Sequence, residues 1–530
     1  MSLKWKYGAK AVAVVSLVLF CGSCGDVYRP VANPVLQPGG DPQRTAHALV
    51  VSSNGANQGT AVIIDVSGDT AVGLFTVGRN PVHAAFISGT DYIVNQADHN
   101  LNALILPVAG STQDPSNSII TLPGPTTSSP NAPSASPVFA AAAGGKLFVT
   151  EPGLGAPSCH GPGNCVADIS VATIPPGVSH IPVGSNPVAL VATPDGTQLY
   201  SINQGSSNVT VIFPATDQVV GTPIPVGTTP VWGAVSSDGT HVFIVNQGSN
   251  NVSVIDTSTD MVINTLPVGA GPNYIFYQAT LNRAYVTSPA GNSLSIIDNN
   301  KGMVLPPIPM AGAPCNGQHP ISVTALADGS RVYVADDVTS SVCVLNTTSN
   351  TFTKRICLVQ EPAPPAAPTA PCVGSATPVF IASNSDATRV YTANQYQTAP
   401  FAIASISRQN SISPATGLLT GVVTVTTTGS NPFVAGQPVT IAGVSDSSFT
   451  GVFGITQIIS STQFAYIQDG FPNSSLTGAA TIGATAAILP YVSLIQTSGD
   501  ALVLVQNSDG STPPLTIPAG GKPVFIAMTP

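Results

Sequence analysis

Short runs of β-branched and aromatic residues alternate along this chain with turns rich in Gly, Pro, Asn and Asp. The clearest stretch, residues 230–269, reads P-V-W-G-A-V-S-S-D-G-T-H-V-F-I-V-N-Q-G-S-N-N-V-S-V-I-D-T-S-T-D-M-V-I-N-T-L-P-V-G. Its apolar positions alternate within each run and predict four short strands. No stretch between Arg29 and the C-terminus shows a sustained helical period. The pattern therefore predicts an all-β chain.

The same four-strand pattern recurs along most of the chain. Each unit opens with Pro and an apolar strand, and Asp-Gly fills the following turn at 195–196, 238–239 and 328–329. Asp-Gly favours such turns because Gly accepts positive φ and Asp bonds the turn backbone. A four-stranded unit repeated about every 40 residues is typical of a β-propeller.

The number of opening strands predicts eight blades. They begin at Pro81, Pro137, Pro187, Pro230, Pro272, Pro320, Pro378 and Pro523. The last lacks its partners, which residues 48–51, 60–65 and 70–77 supply from the N-terminal end. One blade built from both chain ends closes the ring and removes open sheet edges. Seven blades is the alternative, if a degenerate unit around 81–122 or after 378 is incomplete.

The repeats resemble a known family. The runs V-Y-V-A-D at 332–336, V-S-V-I-D at 252–256 and L-P-V-G at 266–269 are similar to the YVTN-type β-propeller repeat. The match is close over 186–269 and looser over most of 45–410 and at the C-terminus. The resemblance implies a propeller. Lactonase-type propellers are similar in repeat style, but their acid and metal-binding residues cannot be placed on this chain.

Residues 416–488 interrupt the repeats after a strand at 401–406. Alternating Thr and Val, as in V-V-T-V-T-T-T, with Gly turns, predicts five or six short strands of a small β-sandwich or barrel. Such an insertion at a blade loop costs little. The predicted propeller therefore comprises 45–415 and 489–530.

The N-terminal segment predicts export. Three lysines before residue 11 precede an apolar run at 11–20, which is too short to span a bilayer and is typical of a secretory signal. The following C-G-S-C resembles a bacterial lipobox, with Cys24 as lipid acceptor; an ordinary signal peptide is the alternative. We expect a signal at 1–24 and a tether at 25–44. Gly25 is not Asp, so the anchored protein belongs at the outer membrane if the cell is Gram-negative.

The composition of the chain excludes one class of binding partner. Only 7% of residues are charged, the net charge is −9, and only 15 residues are Lys or Arg. No basic stripe remains to neutralise phosphates, so nucleic acid is not an expected partner.

The remaining cysteines are even in number, which favours disulfides in an exported chain. Cys159 and Cys165 flank a short loop and are expected to bridge each other. Cys343 and Cys357 fall on neighbouring strands of one repeat, and Cys315 and Cys372 precede repeats and could pair.

Catalytic and metal-binding patterns are weak. The chain has two glutamates, Glu151 and Glu361, on different repeats, and its seven histidines show no metal-ligand spacing. We therefore expect no metal and no cofactor.

Asn-Gln recurs directly after the second strand of several units. These residues are Asn95, Gln96, Asn203, Gln204, Asn246, Gln247, Asn394 and Gln395. A partial ring of amides around one channel mouth would suit a neutral glycan or peptide, although Asn also caps its own turn. The favoured interpretation is a binding or scaffold module of the bacterial envelope, whose partner is an envelope protein or a neutral polymer. A lactonase-like or other hydrolase and a surface-layer or adhesion component are the alternatives.

Overall fold

The computed structural model describes residues 47–66, 68–106, 115–122, 136–153, 164–171, 176–358, 372, 376–395, 400–412, 419–431, 433–445, 447–469, 477–479, 484–488, 490–504 and 514–528. The predicted signal, the tether and the lipid acceptor Cys24 lie outside these residues. Strands dominate the described chain, whose one helical turn is the 3-10 segment Ser447–Phe449.

Eight sheets form the blades of a propeller, which confirms the all-β prediction and the count of eight. Blades are numbered here from the N-terminus, and within blades 2 to 8 the strands are numbered from the centre outward in chain order. Blade 2 comprises Pro81–Ile87, Thr90–Asn95, Asn100–Ile105 and Ser116–Thr121; blade 3 comprises Phe139–Ala143, Lys146–Glu151, Cys165–Ser170 and Gly177–Pro182; blade 4 comprises Pro187–Ala192, Leu199–Asn203, Asn208–Phe213 and Gln218–Pro225. Blade 5 comprises Pro230–Val235, His241–Asn246, Asn251–Asp256 and Met261–Pro267.

The later blades are less regular at their outer edges. Blade 6 comprises Tyr274–Gln278, Arg283–Ser288, Ser293–Asp298 and an outer strand split into Met303–Val304 and Ile308–Pro309. Blade 7 comprises Pro320–Ala325, Arg331–Asp336, Ser341–Asn346 and Thr351–Cys357. Blade 8 comprises Thr377–Ser383, Arg389–Gln395, Tyr491–Gln496 and a split outer strand, Ala501–Leu502 and Thr516–Pro518.

Blade 1 is built from both ends of the described chain, as predicted. Its inner strand is Lys522–Met528, followed outward by His47–Asn54, Asn57–Asp65 and Thr70–Arg79. Val50 lies opposite Ile526 on one side and Val62 on the other. Each inner strand contacts the inner strands of both neighbouring blades, so the ring is closed.

The two faces of the ring carry different turns. We call the face where second strands end and where each blade leads to the next the upper face; the Asp-Gly turns and the turns before the outer strands form the lower face. On the lower face, the second strand of one blade repeatedly bonds an aspartate of the next. Tyr200 Oη donates to Asp260 Oδ1 at 2.9 Å, and Arg389 Nε donates to Asp69 Oδ2 at 2.9 Å. These bonds tie neighbouring blades together across apolar cores.

A second domain is inserted between the second and third strands of blade 8. It is a closed six-stranded barrel. In spatial order its strands are Phe401–Ile412, Leu419–Thr427, Gln463–Asp469, Gly451–Ser460, Pro438–Ala442 and Thr485–Ile488. A seventh strand, Thr477–Ala479, pairs with Phe401–Ile412 but is not one of the six that close the barrel. Phe401–Ile412, expected to begin as a propeller strand, pairs instead with barrel strands. Its apolar side chains Ile403 and Ile406 fill the barrel core, so the inserted strands begin before residue 416.

The barrel is fixed to the propeller by a short loop. Val434 is 4% exposed and packs into the apolar cluster between blades 7 and 8, beside Leu358 and Tyr491. Thr516 Oγ1 of blade 8 donates to the Gly436 carbonyl at 2.5 Å. The insert therefore sits against the upper side of these two blades.

Candidate functional site

The centre of the propeller is filled by aromatic side chains. A Pro stands at or within two residues of the start of each inner strand, and the residue two positions after it points toward the axis in most blades. These axial residues are His83, Phe139, Trp232, Tyr274, Phe380 and Phe525, with the small Ala189 and Ser322 in blades 4 and 7. In several blades the register shifts between the Pro and this residue, which marks a bulge that re-aims the side chain.

The six rings touch in a closed circuit, which we call the axial aromatic ring. Ring centroids are 3.8 Å apart for His83 and Phe139, and 5.2 Å apart for Phe139 and Trp232. The circuit continues from Trp232 to Tyr274 at 5.0 Å and from Tyr274 to Phe380 at 5.4 Å. Phe380 to Phe525 at 4.7 Å and Phe525 to His83 at 4.2 Å complete it. Four of these six separations lie in the range typical of attractive aromatic pairs, and the two that involve His83 with Phe139 and Phe525 are closer.

His83 is a neutral member of this ring. Its Nδ1 accepts the backbone N–H of Ala140 in blade 3 at 3.3 Å, which places the ring proton on Nε2. Burial lowers the pKa of His83 to about 3, and burial also raises the pKa of Tyr274. The axial aromatic ring is therefore uncharged near neutral pH.

The four predicted asparagines lie inside the blades. Asn95, Asn203, Asn246 and Asn394 are each 0% exposed. Asn246 Nδ2 donates to Asn251 Oδ1 at 2.8 Å and to Ser253 Oγ at 2.9 Å, and Asn203 Nδ2 bonds the third strand of its own blade in the same way. The last residue of the second strand remains in sheet register, so its side chain turns inward. This corrects the expectation that the asparagines face a ligand.

A close contact that recurs between blades explains why Gly stands at or just after the end of the preceding outer strand. A Cβ on Gly227 would lie 2.2 Å from Ser249 Oγ and 2.7 Å from Asn246 Cβ. Gly78 and Gly184 face Asn95 and Asn203 equally closely. The Val-Gly ending and the Asn of the next blade are thus one structural unit.

The glutamines that follow these asparagines do reach the upper face. Gln96 and Gln204 are half-buried, and their Oε1 atoms accept from Asn80 Nδ2 at 2.7 Å and Asn186 Nδ2 at 2.9 Å. Each leaves its Nε2 donors directed away from that bond. Gln247 is exposed, and Gln395 Nε2 donates to the Pro523 carbonyl at 2.8 Å. The predicted ligand contacts therefore stay a prediction for the glutamines alone.

The structure settles two cysteine pairings that the sequence left open. Cys315 bonds Cys343, and Cys357 bonds Cys372, with Cα–Cα distances of 5.3 and 5.4 Å. Cys315 and Cys372, which could have paired with each other, each bond a strand of blade 7 instead, so each bridge fastens a blade-connecting loop to that blade. Cys165 is disulfide-bonded, and its expected partner Cys159 lies outside the described residues. Disulfides indicate an extracytoplasmic protein.

Three histidines pair with carboxylates in the described chain. His47 Nε2 lies 2.9 Å from Asp91 Oδ2, and His180 Nε2 lies 3.0 Å from Glu151 Oε2; both pairs are at most 5% exposed. His319 Nδ1 lies 2.7 Å from Asp337 Oδ1, and these side chains are 44% and 25% exposed. Only this third pair is accessible to a solute.

The axial aromatic ring was not predicted from the sequence. Its signal was present: an aromatic or His residue stands two positions after the opening Pro in six of the eight units. Each residue alone resembles an ordinary core position, so only alignment of the copies reveals the ring. No group of three or more potential metal ligands occurs in the described part of the chain, and no described helix could cross a bilayer.

No protein-family model and no curated protein matches the chain. Solved structures similar to it include a functionally unknown protein from Desulfotomaculum acetoxidans DSM 771, at 13% identity and TM-score 0.43, covering 59% of this chain and 95% of that one. Hydrazine synthase of Kuenenia stuttgartiensis matches at 16% identity and TM-score 0.42, covering 59% and 92%. The periplasmic gluconolactonase PpgL of Pseudomonas aeruginosa matches at 16% and 0.43, covering 58% and 94%. These likenesses concern the fold alone.

Proposed function

We propose that the protein is an extracytoplasmic binding or scaffold module of the bacterial cell envelope whose upper face binds a neutral polymer, a glycan in the first place. The observation that carries this proposal is the axial aromatic ring. Trp232, Tyr274, Phe380 and Phe525 remain partly exposed within it. An apolar, aromatic floor with a few polar groups at its edge is the usual composition of a small-molecule site.

The polar groups at the edge are neutral amides. Gln96 and Gln204 are held through Oε1, so their Nε2 groups remain available as donors. Sugar rings offer apolar faces to aromatic side chains and hydroxyls to amides. The uncharged His83 adds no competing charge. A neutral glycan therefore satisfies both parts of the site better than an ionic ligand would.

We further propose that the repeats belong to the YVTN type and that a lipid on Cys24 anchors the protein. His47 begins its strand at the lower face of blade 1. A tether that arrives at the lower face leaves the upper face free for a ligand. Metabolic labelling with a palmitate analogue should mark the wild-type chain and leave a Cys24→Ala variant unlabelled; equal labelling of both would remove the anchor from the proposal.

Binding is tested by isothermal titration calorimetry with chitohexaose and cellohexaose, using the mature full chain. The Gln204→Ala, Gln247→Ala double variant should bind either hexasaccharide at least about tenfold more weakly, because it loses amide donors at the mouth. Gln218→Ala, an exposed position beside a lower-face turn, is the matched control and should bind as the wild type does.

Unchanged affinity of the double variant would contradict the site. Binding of an unstructured peptide in place of both hexasaccharides would retain the polymer site and overturn its preference for a glycan.

A further inference from the structure

The connection from blade 6 to blade 7 differs from the other described connections on the upper face. It runs over residues 310–319, whereas residues 226–229 suffice between blades 4 and 5. The disulfide Cys315–Cys343 fastens it to the third strand of blade 7. Asp336 Oδ2 accepts the backbone N–H groups of Gln318 at 2.6 Å and His319 at 2.7 Å. The backbone that carries His319 is therefore held in place from two sides.

This held backbone presents an oriented imidazole. His319 Nδ1 lies 2.7 Å from Asp337 Oδ1, and a carboxylate at that distance accepts the Nδ1 proton. Nε2 then carries the lone pair. Within the described chain Nε2 has no protein partner, and the His319 side chain is 44% exposed. The two buried histidine–carboxylate pairs lack this access to solvent.

The pair lies on the upper face, where the inner strand of blade 7 begins. His319 directly precedes Pro320, the first residue of the inner strand of blade 7. Asn273 Nδ2, next to the ring member Tyr274, donates to the Ile321 carbonyl at 2.7 Å. Ser322 occupies the axial position of blade 7, where its small side chain leaves the rings of Tyr274 and Phe380 to meet. His319 thus stands three residues before the axial position of blade 7.

We propose that His319 and Asp337 form a general-base site that hydrolyses a neutral carboxylic ester or lactone on the upper face. Nε2 takes a proton from water, and the water oxygen attacks the acyl carbon. The tetrahedral intermediate collapses by breaking the bond to the alkoxide, which takes the proton back from the imidazolium. Asp337 is a positioning residue that holds the tautomer and stabilises the imidazolium.

The surroundings favour an acyl substrate over a phosphate ester. Phosphoryl transfer needs cations to neutralise the transferred group. Arg331, the one Lys or Arg residue between 310 and 345, pairs with Asp500 at 2.9 Å on the lower face. A neutral acyl group needs no such cation. This inference does not require polymer binding, since a small ester needs access only to His319 Nε2, whose side chain is 44% exposed.

The test measures hydrolysis of δ-valerolactone and ethyl butyrate in a pH-stat with the mature full chain. Saturable turnover is expected. His319→Gln should lower kcat roughly 100-fold. Asp337→Asn should lower kcat roughly tenfold with an unchanged KM, because it weakens the hold on the tautomer and the stabilisation of the imidazolium but leaves the base in place. His241→Gln, on the lower face, is the matched control and should retain full activity.

Added imidazole should restore part of the turnover of a His319→Ala variant, which separates loss of the base from misfolding. Circular dichroism melting confirms that each variant is folded. Turnover of neither ester by the folded wild type, or equal turnover by wild type and His319→Gln, would overturn the proposal. Hexasaccharide binding is measured independently, so this failure leaves the binding proposal standing.

Discussion

Blades 5 and 7 both end their second strand in a buried polar side chain, but the residue and its hydrogen-bond partners differ. In blade 5 the second strand ends in Asn246, whose amide donates to the third strand of its own blade. In blade 7 the equivalent residue is Asp336, whose carboxylate accepts from the preceding connection and from Thr339. Both side chains are 0% exposed. The position is fixed by the fold, while the chemistry at it follows the length of the connection.

This difference shows how a repeat fold acquires a specific site. A short connection bonds the second strand directly: the Gln247 and Gly248 N–H groups donate to the Thr229 and Thr228 carbonyls at 3.0 Å. A long connection needs an acceptor inside the blade, and a carboxylate supplies one. The same change brings His319 to the upper face. In blade 7 the departure from the repeat therefore lies on the upper face, where the His319 side chain reaches solvent.

Replacing Asn246 by Asp, or Asp336 by Asn, should have the largest effect on the free energy of unfolding. Asn246→Asp would place a buried carboxylate against the Asn251 oxygen and should cost about 4 kcal/mol of unfolding free energy. Asp336→Asn must turn its amide donor either toward the N–H groups of Gln318 and His319 or toward that of Thr339, and should cost somewhat less. Urea unfolding measures both changes. The loss in Asn246→Asp should shrink at acidic pH, because the protonated carboxyl becomes a neutral donor; a loss independent of pH would argue against a buried charge.

Removal of the Cys315–Cys343 disulfide should cause the second largest loss of unfolding free energy. Cys315 and Cys343 are separated by 28 residues, and chain entropy predicts a loss of about 3.5 kcal/mol for the double Ala variant. Cys357 and Cys372, separated by 15 residues, should lose about 3 kcal/mol when replaced in the same way. Differential scanning calorimetry compares the two variants. Equal stability of wild type and the first variant would show that the connection is held by hydrogen bonds alone.

Adding a methyl group at Gly227, in the connection between blades 4 and 5, should have an intermediate effect on the free energy of unfolding. In Gly227→Ala the new Cβ meets Ser249 and Asn246, so about 2 kcal/mol should be lost in urea unfolding. Gly454→Ala in the barrel is the control, because nothing lies within 4 Å of a Cβ there. A stable Gly227→Ala variant would mean that the Val-Gly ending is not required by packing.

The smallest expected effect is a gain in the free energy of unfolding, from a substitution at Thr229. Thr229 has φ 51°, a left-handed conformation that a β-branched residue rarely adopts, while the equivalent Asn80 and Asn186 have φ 47° and 52°. Thr229→Asn should add about 1 kcal/mol of unfolding free energy. It would also offer Gln247 the amide bond that Gln204 already has. Asn186→Thr is the mirror variant, and a gain in both would rule out backbone strain as the cause.

The architecture was predictable because every blade repeats its register. Opening Pro residues and Asp-Gly turns marked the blades, and the strands at 48–51 and 60–65 correctly implied closure by the C-terminal strand. The start of the insert was not predictable in this way. Phe401–Ile412 has the strand pattern of a blade, and only its pairing partners assign it to the barrel.

The candidate site was less predictable than the fold. Sequence identifies Asn246 as a strand end but not the side to which its amide turns, and that direction decided between ligand contact and internal bonding. The disulfides depended on loop paths that composition does not reveal. His319 and Asp337 are separated by a whole hairpin, so only the closed fold brings them within 2.7 Å.

The closure of blade 1 also means that this blade can complete its folding only late in the synthesis of the chain. Three of its strands, from His47 to Arg79, are synthesised before the other described strands, and their inner partner Lys522–Met528 is synthesised after them. Until that segment has left the ribosome and crossed into the compartment where the protein folds, His47–Asn54 keeps an open edge along an apolar strand. Such an edge is prone to pair with other chains. Pairing with Lys522–Met528 therefore removes the exposed edge that favours aggregation of the incomplete chain.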